Sequence, residues 1–187
     1  MRTKTIFATL IAVLSLTGLS ACGGSDDVAK AFNSADVSFA QDMIPHHRQA
    51  IEMAKTAADR TTNTDVQDLA EKILAAQQPE IDTMSGWLKS WDKKVPSESS
   101  SMSGMDHGAS GMPGTMSADQ MSSLESMSGS DFDQMFLTMM IAHHEGAIKM
   151  AAKEENRGRY DHAVDLAQKI QTDQAAEIST MKALLTS

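Results

Sequence analysis

The chain has 187 residues, with 16 basic against 25 acidic side chains, one cysteine, 15 methionines and an aromatic content of only 4%. A single cysteine excludes an internal disulfide, and a formal net charge of -9 argues against nucleic acid as a partner, because phosphates would be repelled. The length suits one domain with a sizeable core, which methionine fills to an unusual degree.

Residues 1–21 read as an export leader: Arg2 and Lys4 give a basic start, Ile6 to Leu16 an apolar run, and Leu19-Ser-Ala-Cys22 a cleavage site of small residues. The run is too short and wrongly flanked for a spanning helix. The Leu-x-x-Cys ending resembles a bacterial lipobox, which makes Cys22 the lipidated first residue of the mature chain. An ordinary secretory signal with a stray cysteine is the plainer alternative. Either reading places the protein outside the cytoplasm. Without Arg2 and Lys4, 14 basic side chains remain against 25 acidic, a net charge of -11 with histidines neutral.

Residues 22–34 form a polar tether. Asn33-Ser-Ala-Asp36 then offers a cap and an acidic residue three positions on. Phe39, Met43, His46/His47, Ala50 and Met53 follow at helical spacing, predicting a first helix over about 35–59. Pro45 removes one backbone donor inside it and predicts a bend beside the histidines. After the polar break Thr61-Thr-Asn-Thr64, Val66, Leu69, Ile73, Gln77, Ile81, Met84 and Leu88 share one face of a second helix ending near Trp91. The short break implies an antiparallel hairpin over 35–91.

Residues 92–130 read as a linker, and from Ser97 on they are Ser/Gly-rich with no helical or strand period. A second hairpin spans 131–185, its helices predicted from Ser130 to about Asn156 and from Tyr160 to Leu185. It repeats the first at a shift of 97 residues: Asp36 falls on Asp133, Phe39 on Phe136, Ile73 on Ile170, Ile81 on Ile178 and Met84 on Met181. Neither hairpin can hide its apolar stripe alone, so the expected fold is all-α: a four-helix bundle of two duplicated hairpins, ferritin-like in architecture, with a long disordered crossover linker.

The most informative part of the repeat is Met43-Ile-Pro-His-His-Arg-Gln-Ala-Ile-Glu-Met53, which returns as Met140-Ile-Ala-His-His-Glu-Gly-Ala-Ile-Lys-Met150. Fold maintenance asks for apolar residues in both copies; it does not ask for two adjacent histidines in both. His46 and His47 lie about 100° apart on a helix and cannot face the same point, so which of each pair turns inward is open. Gln77 and Gln174 interrupt the apolar stripes level with His47 and His144, which predicts a His–Gln hydrogen bond in each hairpin.

Met43, Met53 and Met84, with Met140, Met150 and Met181, lie on apolar faces, where methionine is usually packing. Gathered beside imidazoles, they form a soft donor set that selects Cu(I), with Cu(II) accessible through the histidines. Zinc fits less well, since no cysteine lies in the folded part. The linker repeats the set on flexible backbone as Met102, Met105, His107 and Met112, a capture segment or a biased spacer. No Glu-x-x-His occurs, and Glu145 aligns with Arg48, so the matched carboxylates of a di-iron site are not evident.

His46-His-Arg-Gln-Ala-Ile-Glu-Met-Ala54 and His143-His-Glu-Gly-Ala-Ile-Lys-Met-Ala151 closely resemble the repeated signature of the bacterial domain of unknown function 305. The resemblance covers about Phe32 to Leu185. It implies an exported, ferritin-like bundle and, since that family includes a copper-resistance protein, copper handling. The resulting expectation is a lipid-anchored extracytoplasmic protein that sequesters Cu(I), with Ag(I) as a further candidate ion, or passes it to an envelope partner. His46, His47, His143 and His144 are its principal ligands. The rivals are a metal-free interaction module and a copper-dependent redox enzyme, for which nothing in the sequence asks.

Overall fold

The computed structural model describes residues 31–97 and 112–186. The leader, Cys22, Met102, Met105 and His107 lie outside these residues. Five helices follow in order: α1 (Ser34–Arg60), α2 (Thr64–Ser90), α3 (Ala118–Ser126), α4 (Gly129–Arg157) and α5 (Asp161–Leu184). There is no strand among the described residues.

The start of α1 is fixed by a full capping box: the Asn33 side chain accepts from Ala35 and Asp36 N–H, and Asp36 accepts from Asn33 N–H. The helix continues through Pro45, and α2 through Pro79. Residues 61–63 turn the chain, with Asn63 capping α2 through Asp65 N–H. The α4–α5 turn is held from outside its own hairpin. Asp36 accepts Arg159 N–H at 2.9 Å and Tyr160 N–H at 3.0 Å, and Asn33 donates to the Arg157 carbonyl at 2.8 Å. The first residues of α1 therefore sit at the end of α4, and these two long helices run antiparallel.

Two apolar clusters fill the bundle. One joins the end of α1 and the start of α2 to the start of α4 and the end of α5, around Met53, Ile73, Phe132, Phe136, Met140 and Met181. The other joins the opposite ends, around Phe39, Met43, Ile44, Met84, Leu88 and Ile170. Equivalent residues of the two hairpins thus occupy opposite clusters, as a pseudo-twofold axis between α1 and α4 requires.

The linker departs from expectation. Part of it is helical: Ser117 and Gln120 cap each other's backbone to start α3, whose Leu124 is buried. Ahead of α3, residues 112–117 cross α1 and α4 as a strap. Gly114 there has φ +78°, and a Cβ on either Gly114 or Gly146 would collide with the facing backbone (Ala142 O and Pro113 O respectively). On the α1 side, the Gln49 amide makes a two-way pair with Met116, donating to its carbonyl and accepting its N–H, both at 2.9 Å. Arg48 holds the departing chain through the Pro96 and Ser97 carbonyls. A search for helical period could not see the strap, because tertiary contacts fix it.

Candidate metal centre

Successive helical residues diverge by about 100°, and here both directions from each histidine pair lead into protein. His46 points from α1 towards α4 and His47 towards α2; His143 and His144 repeat this from α4. All four are buried, at 0%, 0%, 1% and 0% exposure, so neither member of a pair is a flank residue. The His46 and His143 rings meet with centroids 3.9 Å apart and planes at 40°, on the pseudo-twofold axis.

His47 Nε2–H donates to Glu80 Oε2 at 2.8 Å, and His144 Nε2–H donates to Glu177 Oε2 at 2.6 Å. Lys169 reaches across from α5 to the other Glu80 oxygen at 3.2 Å. Burial alone would raise Glu80, but the hydrogen bonds and charges of His47 and Lys169 outweigh it and keep the carboxyl below its usual range. His46 Nε2–H donates to the Pro113 carbonyl of the strap at 3.1 Å. In a neutral imidazole, one nitrogen donating leaves the other with a bare lone pair. The Nδ1 atoms of His46, His47 and His144 are each buried without a partner, and His143 has no partner on either nitrogen.

Burial, followed by repulsion from His47, lowers the His46 pKa to about 3, with only the Pro113 bond opposing. His143 is pushed well below its ordinary value by burial and then by the neighbouring imidazoles. Both rings are neutral at any physiological pH, which is the form that ligates a metal.

The expected His–Gln hydrogen bonds are not made. Gln77 is buried with both amide atoms unpartnered, and Gln174 Oε1 is likewise unpartnered. Glu80 and Glu177, three residues further along α2 and α5, take the imidazole N–H instead, since a carboxylate accepts it more strongly than an amide. The same 97-residue shift that paired the glutamines also pairs these glutamates. The signal is therefore present in the sequence, on the helices facing the histidines and not beside them.

Met43, Met53, Met84, Met140 and Met181 are fully buried, and Met150 partly so. Met43 and Met84 share one cluster, Met140 and Met181 the other; Met53 falls in the cluster opposite Met43. In the strap, Met112 is part-buried and Met116 is buried. Among the described residues no group of three or more His, Cys, Asp and Glu side chains is disposed to hold a metal. The unpartnered Nδ1 atoms and the neutral rings of His46 and His143 fit a metal ion.

Residues 36–185 match the family model of the domain of unknown function 305, DUF305. The chain is a DUF305 protein. A Streptomyces coelicolor DUF305 protein, described as secreted, has a crystal structure with TM-score 0.72 and 32% identity, covering 81% of this chain and 91% of that one. CopM in its Cu(II)-bound form gives TM-score 0.68 and 32% identity over 81% of this chain and 95% of CopM. CopM structures with Cu(I) and with Ag match at 29% identity. An uncharacterized protein, L153, of Acanthamoeba polyphaga mimivirus is 40% identical over 53 residues, which cover 28% of this chain and only 35% of L153. The DUF305 chain described here is all-helical like its structural neighbours. Among its described residues, no helix is long and apolar enough to cross a membrane.

Proposed function

We propose that this DUF305 protein is an extracytoplasmic, lipid-anchored copper-binding protein that sequesters Cu(I), or passes it on, through its His-His and Met positions. The carrying observation is the set of four buried imidazoles: Nε2 of His46, His47 and His144 is tied to an oxygen acceptor while their Nδ1 atoms, and both nitrogens of His143, are unpartnered. A carboxylate orienting an imidazole from behind is the usual support of a histidine ligand. Leaving several buried nitrogens unpaired costs free energy that an ion would offset. The likeness to CopM, solved with Cu(I), Cu(II) and Ag, supports the same ion class.

His46, His47, His143 and His144 are the principal donors in this reading. Met43, Met53 and Met84, with Met140, Met150 and Met181, supply thioethers. Met102, Met105, His107 and Met112 capture the ion, and the strap delivers it, since Pro113 lies directly on His46. Glu80 and Glu177 replace Gln77 and Gln174 as the orienting residues.

Titrating the apo protein with Cu(I) against a competing chelator tests this. Replacing His46 and His143 by Asn is expected to abolish the tightest binding while circular dichroism stays helical. Unchanged affinity and stoichiometry in a folded variant would remove the site. The rival, a metal-free interaction module, draws on the absence of a ready three-residue cluster among the described residues. Protein purified from copper-supplemented cells without metal would favour it.

A further inference from the structure

Both tryptophans and the single tyrosine of the chain lie together at one end of the bundle. Phe32 stacks on Trp91 with centroids 4.6 Å apart, Trp87 stacks on Trp91 at 6.1 Å, and Tyr160 sits edge-on to both at 5.6 and 5.2 Å. The core elsewhere is built from Met, Ala, Ile, Leu and Phe, and these four aromatics are only partly buried. Exposed Lys93, Lys94, Arg157 and Arg159 surround them at that end, against exposed Asp92 and Asp161 in the same segments. The opposite end has exposed Asp59, Asp65, Glu125 and Asp131 against Arg60. In a chain of net charge -9, the aromatic tip is thus the end where basic side chains outnumber acidic ones.

The chain enters through that tip. Phe32 lies ten positions after Cys22, a reach of at most about 36 Å, so a bilayer anchor at Cys22 faces this end. Tryptophan and tyrosine, apolar in body and polar at one edge, concentrate at membrane–water interfaces, and lysine and arginine there meet anionic headgroups. From this combination we infer that the Phe32/Trp87/Trp91/Tyr160 tip is a docking surface for anionic lipid headgroups. The bundle stands on the membrane with its acidic end outward. His46 lies twelve residues along α1 from Ser34, about 18 Å above the surface. The tether raises the local lipid concentration, so weak docking suffices. The inference rests on the lipidated-Cys22 reading for the tether alone.

The test uses the chain from Cys22 onward, which holds every described helix, with the Cys22 thiol coupled to a maleimide lipid. Coupling makes the tether independent of cellular lipidation. Because both tryptophans lie in the tip, their emission reports this surface and nothing else. On phosphatidylglycerol-containing vesicles the emission is expected to shift to the blue and to be quenched by brominated acyl chains. On pure phosphatidylcholine, or at high salt, the effect is expected to fall away. Charge reversal at Lys93, Lys94 and Arg159 is expected to weaken partition of the untethered chain at least roughly tenfold, while charge reversal at Asp59 and Asp65 does not weaken it. Solution-like emission of the tethered protein on anionic vesicles would overturn the inference, as would equal losses from both ends. Membrane fractionation of a Cys22→Ala variant in cells checks the anchor separately. Vesicle docking without cellular lipidation leaves the surface standing and removes the anchor; lipidation without quenching does the reverse.

Discussion

The two hairpins carry the same chemistry on different terms. His46/His47 and His143/His144 are equally buried, and Glu80 and Glu177 hold the second histidine of each pair in the same way. The differences sit beside them. Gln49 stands where the second hairpin has Gly146, Pro45 where it has Ala142, and Ala57 where it has Glu154. The first exchange is explained by the strap: one half clears a space for its backbone and the other grips it through a side-chain amide. The Gln49/Gly146 divergence marks what the crossover needs once. No contact in the structure explains the Pro45/Ala142 exchange.

The largest expected effect comes from spoiling the cleared space. Gly146→Val drives a side chain into the Pro113 carbonyl and should expel the strap, costing about 2–4 kcal/mol. Urea unfolding measures the loss, and faster proteolysis around Pro113 locates it. Gly86→Ala, at a helical glycine with open space, serves as the control and is expected to stabilise by about 0.5–1 kcal/mol.

The matched carboxylates are the next test. Glu80→Gln and Glu177→Gln should each weaken copper affinity about 10- to 100-fold, read by chelator competition. Equal losses support equivalent roles. A loss confined to one half would mean that the duplication is no longer functional on both sides.

Acid separates the site from the rest of the protein. His46, with a pKa near 3, and His143, also far below its ordinary value, stay neutral in the folded state while the unfolded chain takes up protons below about 6.5. The unfolded state then binds more protons, so stability falls with decreasing pH from about 6.5, by up to about 1.4 kcal/mol per unit for each ring. Denaturant midpoints across that range should flatten in His46→Asn/His143→Asn. An alkaline counterpart belongs to one half only. Glu154 is raised to about 8, by burial first and then by the neighbouring Asp36 carboxylate and its charge, both Glu154 carboxyl oxygens being buried without a hydrogen-bond partner. Asp36 itself is held low: burial would raise it, but the neighbouring Glu154 carboxyl and the N–H groups of Asn33, Arg159 and Tyr160 prevail. A folded Glu154 that keeps its proton while the unfolded one loses it gives up stability as pH rises from 4.5 to 8. Glu154→Gln is expected to remove that slope.

The smallest contrast lies at the helix starts. Asn33 caps α1 fully, whereas Ser128 at the start of α4 makes no side-chain cap bond. Asn33→Ala should cost about 1 kcal/mol and Ser128→Ala a few tenths at most, both read by thermal unfolding.

The helices and their pairing into hairpins were legible because apolar spacing and caps are local signals. Asn33-Ser-Ala-Asp36 forms the capping box that its spacing suggested. The linker was misjudged in part because Gly114, Gly146 and Gln49 mean little apart and become a clasp only when folding brings them together. The glutamine reading failed on finer grounds. Counting back through a turn finds the level of a residue, but not which of two polar neighbours three positions apart wins the hydrogen bond.

The meeting of His46 with His143 has one more consequence. Contact between the same position in two copies is how an isologous homodimer joins, so this bundle has the form of a dimer written into one polypeptide. In a true dimer both subunits share every residue, and a position cannot be glycine on one side and glutamine on the other. A single polypeptide is free of that constraint, and the clasp over the histidines uses the freedom.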